Sequence, residues 1–530
     1  MLQHRFVLIT GLLAGAGCVS SDATTGPGPE PGPSDESPID PSDPADPSDP
    51  SDSFSASAEL STAATLTLDD RIAACRNDPR VVVGVVTLDT CVGADLFFRD
   101  AFGGNGRTCA TCHRVDNNLT IDPKLIAGLP ATDPLFVAEF NDDLKKLEKP
   151  PQMHQFGLIL ENVDGFDPDP TTHFVLRSVP HTLSLATSVT RPPGEPNPPA
   201  DRTGWSGDGA PDAGALRDFM TGAIRQHYTK NLARRPGQDF KLASDAELDK
   251  IDQFMRRTGR TNELALGSVT MTDHDAELGR AKFLSVGCNI CHNNAGANLG
   301  GSNPNFDTGV ESSRNPALAQ FPGDGGFGTA LNLEGTFGNK KFNVPPLIEA
   351  ADTGPFFHTA TSIVGAPAHN TATANTIEEA IAFYTTNAFR LADDGFLIQL
   401  NATDIDNVGR FLRGINAVFN AAIAIKRIDA ELAVVDKFHN TQLRIQRELI
   451  RLANVEVGDA IRVLSAPQNL DAGALTALRK AETQLEMAQT TDVEADRITE
   501  LKSARQFLVQ GSGAVGTGLN YKIGEGTVMF

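Results

Sequence analysis

Two pentapeptides constrain this chain more than anything else in it: Cys109-Ala110-Thr111-Cys112-His113 and Cys288-Asn289-Ile290-Cys291-His292. Each has the Cys-x-x-Cys-His spacing that attaches a c-type haem. The two thiols lie one helical turn apart, so both can reach the vinyl groups of one porphyrin. The histidine that follows then offers its imidazole to the iron from the same side. One match in 530 residues could be chance. Two matches, in a chain with only seven cysteines, point to two covalently attached haem c groups with His113 and His292 as proximal ligands.

The other cysteines fit an exported protein. Residues 1–17 read as a signal peptide: His4 and Arg5 precede an apolar run from Phe6 to Ala16, too short for a permanent span. Gly15-Ala16-Gly17-Cys18 resembles a lipoprotein box, with Gly15 where Leu usually stands, and predicts lipidation at Cys18. Plain secretion is the alternative. Both export the chain, to a bacterial periplasm or to an outer-membrane-anchored position. Residues 18–61 form an acidic Pro/Ser/Asp tether that cannot bury apolar area. The net charge of −22 argues against nucleic acid or anionic lipid as partner, which leaves the lipid anchor as the expected membrane attachment. Cys75 and Cys91 remain, either as a disulfide, which an oxidising compartment favours, or as two free thiols.

The hydrophobic periodicity is mainly helical. Arg80 to Leu88 is valine-rich and reads as a short strand. Gly93 to Phe102 reads as a helix ahead of the first motif. Asn162 to Gly209 and Asn294 to Asn339 read as ordered Gly/Pro/Asn-rich loops. Helices are expected over Ala213 to Lys230, Asp245 to Arg257, Asp273 to Phe283, Thr376 to Phe383 and Thr403 to Ala424. From Arg427 the composition changes, and Ile428 to Ala453, Ala472 to Gln489 and Asp492 to Phe507 look like an added helical module for packing or docking. The glycine-rich tail from Gln510 reads as irregular. Arg107 is either a haem-propionate partner or an ordinary surface arginine. The expected organisation is 62–270 and 271–426 as haem domains and 427–530 as a helical extension.

Function turns on the second axial position of each iron, since a strong ligand there makes an electron-transfer haem and an open site admits O₂ or peroxide. Between Cys288 and Met487 there is no methionine, so His358, His369 and Tyr384 are the candidates for the second haem. His154, His173, His181 and His227 are the histidines available to the first. Trp205, the only tryptophan, is either a core aromatic or a bridge for electrons between the haems.

Taken in order, these pieces resemble the bacterial dihaem cytochrome c peroxidase superfamily, which includes the methylamine dehydrogenase maturation enzyme and, more distantly, dihaem rubber oxygenases. The resemblance covers roughly residues 90–420. It rests on both Cys-x-x-Cys-His motifs, Arg177 to Leu183 with Pro180, and Trp205 with Gly207. It also rests on Phe342-Asn343-Val344-Pro345, on Thr353-Gly354-Pro355-Phe356-Phe357-His358, and on Thr376-Ile377-Glu378-Glu379-Ala380. It implies a mostly α fold with two cytochrome c-like haem domains, a reactive N-terminal haem and an electron-transfer C-terminal haem. It matches Trp205 to the inter-haem tryptophan, and Thr353 and Pro355 to carbonyls that hold an inter-haem calcium ion, with Ser178 where that site usually has Asn. Tyr384 stands where the peroxidases have an axial Met and the maturation enzyme has a Tyr. The peroxidases' distal Gln and Glu fall on Phe219 and Thr229, with Asp218, Gln226 and His227 nearby. An apolar distal side headed by Phe219 resembles the rubber oxygenases.

Three functions follow as expectations. The first is reduction of hydrogen peroxide at the His113 haem, with electrons from a small cytochrome or cupredoxin relayed through the His292 haem and Trp205, and with His227 and Phe219 on the distal side. The second is an oxygenase acting on an apolar substrate with O₂. The third is a non-catalytic electron-transfer cytochrome.

Overall fold

Several helices in this protein start at capping signals in its sequence. The computed structural model describes residues 66–163, 173–191, 194, 198–210, 214–296, 303–328, 336–364, 366, 368–465 and 470–530; the expected signal peptide, Cys18 and the 18–61 tether lie outside them. The chain is mostly α, with 54% helix against 8% strand, so its strands close loops rather than build a layer. No described helix is long and apolar enough to cross a membrane.

Helix α1 (Leu68–Arg76) starts at a Thr67/Asp70 capping box. Cys75 near its end is bonded to Cys91 in α2 (Leu88–Arg99). Between them, Arg80 to Leu88 is not the strand its valines suggest. Asp78 accepts the Arg80 amide, Pro79 takes the first helical position, and Pro79–Val82 makes a helical turn. Local capping overrides the β propensity of the valines.

A helix crossing then occurs twice. After α3 (Leu216–His227), helix α4 (Asp245–Arg256) packs across α2. Further on, α5 (His274–Ser285) packs across α7 (Ala402–Phe438), with α6 (Ile377–Phe383) between them in sequence. The contact chemistry matches position for position. In the first crossing, a Cβ at Gly93 would meet the Lys250 carbonyl, and four residues later Phe97 meets Phe254 with ring centroids 5.2 Å apart. In the second, a Cβ at Gly279 would meet the Asn407 carbonyl, and Phe283 meets Phe411 at 5.7 Å. Only glycine permits backbones this close. Each of the four phenylalanines is fully buried, which stabilises the fold by roughly 1.5–3 kcal/mol apiece relative to exposure. In each crossing the first helix precedes one Cys-x-x-Cys-His motif and the second follows it.

The loops contain more strand than their composition suggests. Within the expected 162–209 loop, β2 (Phe174–Ser178) pairs antiparallel with β1 (Leu158–Asn162). Within the expected 294–339 loop, Asn305–Phe306 and Gly323–Gly326 both pair with Thr336–Asn343. Arg177 of β2 joins the two sets: its Nε and Nη2 donate to Asp324 at 2.6 and 2.9 Å, and Nη1 to Glu161 at 3.1 Å.

The C-terminal region departs most from expectation. Helix α7 runs unbroken for 37 residues, so the boundary expected at 426/427 falls inside one helix. The break comes instead at His439, with φ +50°, after which α8 (Leu443–Ser465), α9 (Ala472–Thr490) and α10 (Glu494–Val515) follow. The tail is not irregular from Gln510. Helix α10 continues to Val515, Gly516–Thr517 pairs with Thr270–Met271, and Val528, Met529 and Phe530 are buried in the core formed by α2, α3 and α4. Arg80 holds the tail in place by donating to the Val528 carbonyl at 3.0 Å and lying 4.5 Å over the Phe530 ring. Buried Arg427 of α7 donates to Glu456 and the Leu452 carbonyl at 2.8 Å each and to the Thr527 carbonyl at 3.2 Å, tying α7, α8 and the tail together. The described residues from 66 to 530 pack as one unit.

Candidate functional site

Both pentapeptides form the same local structure. Cys109–Cys112 and Cys288–Cys291 are single helical turns, and the histidine amide returns to the first cysteine's carbonyl at 3.0 Å and 2.9 Å. The histidines leave these turns with nearly equal backbone angles, φ −104° and ψ 75° for His113 and φ −100° and ψ 64° for His292. Cys109, Cys112, Cys288 and Cys291 are unpaired and partly exposed. Burial pushes the thiols of Cys109, Cys112 and Cys291 up to about 11 and that of Cys288 to about 12. Tyr228 donates its hydroxyl to Cys109 Sγ at 3.1 Å.

His113 Nδ1 lies 2.8 Å from the Leu119 carbonyl. A carbonyl only accepts, so Nδ1 carries the hydrogen and Nε2 keeps its lone pair. Burial holds this imidazole below its usual range, the Leu119 carbonyl partly offsets that, and neighbouring His227 lowers it further. His292 is held down to about 4 by burial, against an opposing contribution from the Pro345 carbonyl. His292 Nδ1 has no bonded partner. Both rings are therefore neutral and able to act as ligands at physiological pH.

One continuous cavity of about 750 Å³ is lined by both motifs. Trp205, Phe342, Pro355, Phe356 and His358 line it as well. Trp205 donates Nε1 to the Ser178 carbonyl at 2.8 Å, and its own carbonyl accepts from the Asn343 amide at 2.9 Å. Its ring lies 6.3 Å from that of His358, which stacks 4.0 Å from Phe342. Ser178 bonds back to the 357–358 segment through its amide (2.7 Å to the His358 carbonyl) and its hydroxyl (3.0 Å to the Phe357 carbonyl). The Thr353 hydroxyl turns to the Ala350 carbonyl at 3.0 Å. Among the described residues no group of three or more His, Cys, Asp or Glu side chains gathers as a metal cage.

On the first motif's side, Phe219 lines the cavity, and a methyl group at Gly204 would come within 3.1 Å of its ring. His227 also lines it, with Nδ1 turned to Glu148 at 3.7 Å. Burial alone would push the Glu148 carboxyl up, but the guanidinium of Arg107 and the ring of His227 more than offset this and hold it below its usual range. Arg107 is neither exposed nor available to another anion. It is fully buried, with Nη1 on Glu148 at 2.8 Å and its other donors on the Leu135 and Pro134 carbonyls at 2.6 and 3.1 Å. Nothing in the sequence marked Glu148, which lies 79 positions before His227. The other polar candidates are engaged in structure. Asp218 caps α3 by accepting the Ala215 amide at 2.7 Å, buried Gln226 accepts the Asn162 amide at 3.2 Å, and Thr229 donates to the Asn231 carbonyl at 2.5 Å.

On the second side, Tyr384 lines the cavity within an aromatic group, 5.0 Å from Phe389 and 5.4 Å from Phe383. Burial raises its hydroxyl well above the ordinary value, with further contributions from neighbouring Cys291 and Cys288. His358 turns Nε2 to Glu311 at 3.5 Å and Asp324 at 3.9 Å instead. The remaining histidines lie elsewhere or are tied down. His154 pairs with Glu139 at 2.9 Å, His369 with Asp406 at 3.2 Å, and the His173 ring packs 5.8 Å from Phe337. Of these four only His181 lines the cavity, near His113; its Nδ1 accepts the Leu183 amide at 3.3 Å, and burial holds it neutral at about 3. No protein-family model, curated protein or solved structure matches the chain.

Proposed function

We propose that this protein is a dihaem c-type oxidoreductase of peroxidase type, with peroxide handled beside His113 and electrons entering by way of His292. The observation that carries the reading is the single cavity bordered by both Cys-x-x-Cys-His turns and lined by Trp205. The residues fit the cofactor. Each turn offers two unpaired sulfurs and a neutral imidazole to an apolar space, and His113 is oriented through Nδ1 so that Nε2 remains a donor. Haem c, when bound, supplies redox-active iron at each motif.

Reducing hydrogen peroxide to two waters consumes two electrons and two protons, so a proton must move from one oxygen to the other. His227 is suited to this. Glu148 lies behind the ring at Nδ1, which leaves Nε2 on the opposite side to take and return the proton, and the carboxylate stabilises the imidazolium formed in between. Trp205 would serve as the bridging aromatic, and Tyr384 rather than His358 would help hold the second group, because the carboxylates of Glu311 and Asp324 face His358 Nε2. The electron donor is a small cytochrome or cupredoxin. Lipidation at Cys18 and the tether would hold the unit at a bacterial outer membrane, facing the periplasm.

The packing of Phe219 against Gly204 favours a second reading, an oxygenase that seats an apolar substrate by that ring and uses O₂. The deciding experiment is a haem count and turnover assay on the full exported protein. Two covalent haems per chain with rapid peroxide consumption from a reduced small cytochrome supports the first reading. O₂ uptake on a polyisoprene substrate without peroxide turnover replaces it with the second. A chain exported by a strain competent in cytochrome c maturation that carries no covalent haem overturns both.

A further inference from the structure

The loop after the first motif is strained at the residues that hold His113. Asn118 and Leu119 both adopt left-handed backbone angles, φ +55° and +52°. Side chains other than glycine rarely occupy this region, and two in succession persist only where surrounding structure imposes them. The carbonyl delivered by this bend is that of Leu119, the acceptor for His113 Nδ1. Bonds within the loop account for part of its shape: the Leu119 amide donates to the Arg114 carbonyl at 2.8 Å and Thr120 Oγ1 to the Val179 carbonyl at 2.5 Å.

The rest of the support comes from α8, more than 300 positions away in sequence. Asp459 accepts from Asn118 Nδ2 at 3.5 Å, and its other oxygen is held by Arg462 at 2.8 Å. Two turns earlier on the same helix, Arg451 Nη1 reaches Asp116 at 3.9 Å. The Leu119 side chain is 3% exposed and sits in the core that contains Ala453, Val457 and Ala460 of α8. The second motif is also followed by two left-handed residues, Asn294 and Ala295 (φ +52° and +53°), but Asn294 is held by the Leu266 amide at 3.4 Å rather than by α8, and His292 Nδ1 has no bonded partner.

We propose that α8 is a positioning element for the first motif. Asp459, acting through Asn118, fixes the Leu119 carbonyl against His113 Nδ1 and so sets how strongly the imidazole donates through Nε2. Hydrogen bonding at the distant nitrogen of a ligating histidine raises its basicity and fixes its orientation. The inference rests on His113 serving as an axial ligand. It assigns to the C-terminal helices a task that neither the motif nor the helix crossing performs.

The test uses the full-length holoprotein with Asp459→Asn, Asn118→Ala and Asn118→Gly; glycine accepts the left-handed angle and removes only the amide. Each haem's midpoint potential, the ferrous iron–histidine stretching band and amide exchange over residues 114–121 are measured. With Asp459→Asn and with both Asn118 variants, the first haem's potential should rise and its stretching band move down, while the second haem stays where it was. Exchange over 114–121 should quicken by roughly three- to tenfold, the scale of one lost hydrogen bond. Unchanged first-haem potential and band in Asn118→Gly and Asp459→Asn overturns the proposal. Equal shifts at both haems also overturn it, because they report general loosening. Absence of a covalent haem at Cys109 and Cys112 in the unaltered protein is a different failure, that of the haem reading itself, and is visible before any variant is made.

Discussion

The two halves of this molecule use one scaffold for two different rings. Around His113 and around His292 the preceding helix crosses a later one at a glycine, two phenylalanines lock the crossing, and a four-residue turn presents the sulfurs. Beyond that the halves diverge. His113 is oriented at Nδ1 and shares its cavity wall with His227, behind which lies the Glu148 carboxylate. His292 has no bonded Nδ1 partner and faces a space bordered by Tyr384 and an aromatic group. A repeated frame fixes where a cofactor can sit; the unrepeated residues decide what it can do.

The comparison can be broken most directly at the sulfurs. Replacing Cys109 and Cys112 with serine should remove one covalent haem, and replacing Cys288 and Cys291 should remove the other, read by intact mass and the pyridine haemochrome. If either double variant keeps both haems, the equivalence of the two turns is lost. The next effect should be one-sided. His227→Gln should lower peroxide turnover about 10²–10⁴-fold, the usual range for a general acid–base group, with the second haem's spectrum unchanged. Glu148→Gln should follow in the same direction but leave buried Arg107 without its counter-charge, so its thermal stability must be measured alongside.

Gly93→Ala and Gly279→Ala sharpen the shared part. Each inserts a methyl group against a carbonyl and should destabilise by about 1–3 kcal/mol, and denaturant midpoints should show similar losses. A large loss at one and none at the other would sink the equivalence of the crossings. The smallest effect concerns the helix that both halves share. Buried Glu431 on α7 lies 3.7 Å from buried Arg497, and burial raises its carboxyl to about 8 despite that charge. Its folded value is therefore above its unfolded one, so the proton it retains stabilises the folded chain below the unfolded pKa, and this contribution is lost as pH rises through 8. Melting temperature should fall over that rise, more steeply than in Glu431→Gln. Because Ile428 and Ala430 on the same helix enter different cores, both halves should melt in a single transition.

Local chemistry was legible in the sequence wherever it was strong. The Thr376 and Asp273 caps start helices where expected, and the mostly α character follows from the periodicity. Three features were not legible, each for a physical reason. The valines of 80–88 carry β propensity, but the Asp78-Pro79 start outweighed them. The change of composition at Arg427 reflects new packing partners for one long helix, not the start of a new unit. Glu148 beside His227, and Asp459 beside Asn118, are pairs brought together by folding across long stretches of chain, and no local pattern encodes them. The ending Thr527-Val528-Met529-Phe530 did carry a signal, since three large apolar side chains in succession after a glycine-rich stretch require burial somewhere.

That ending has a consequence for the order of assembly. Arg80 and the Val528 carbonyl it binds are 448 positions apart, so the core behind the first motif lacks its last side chains until residues 528–530 have been made. Contacts of such long range form late and slowly. The sulfurs of Cys109 and Cys112 thus wait in an unfinished half until Val528, Met529 and Phe530 close the core behind them.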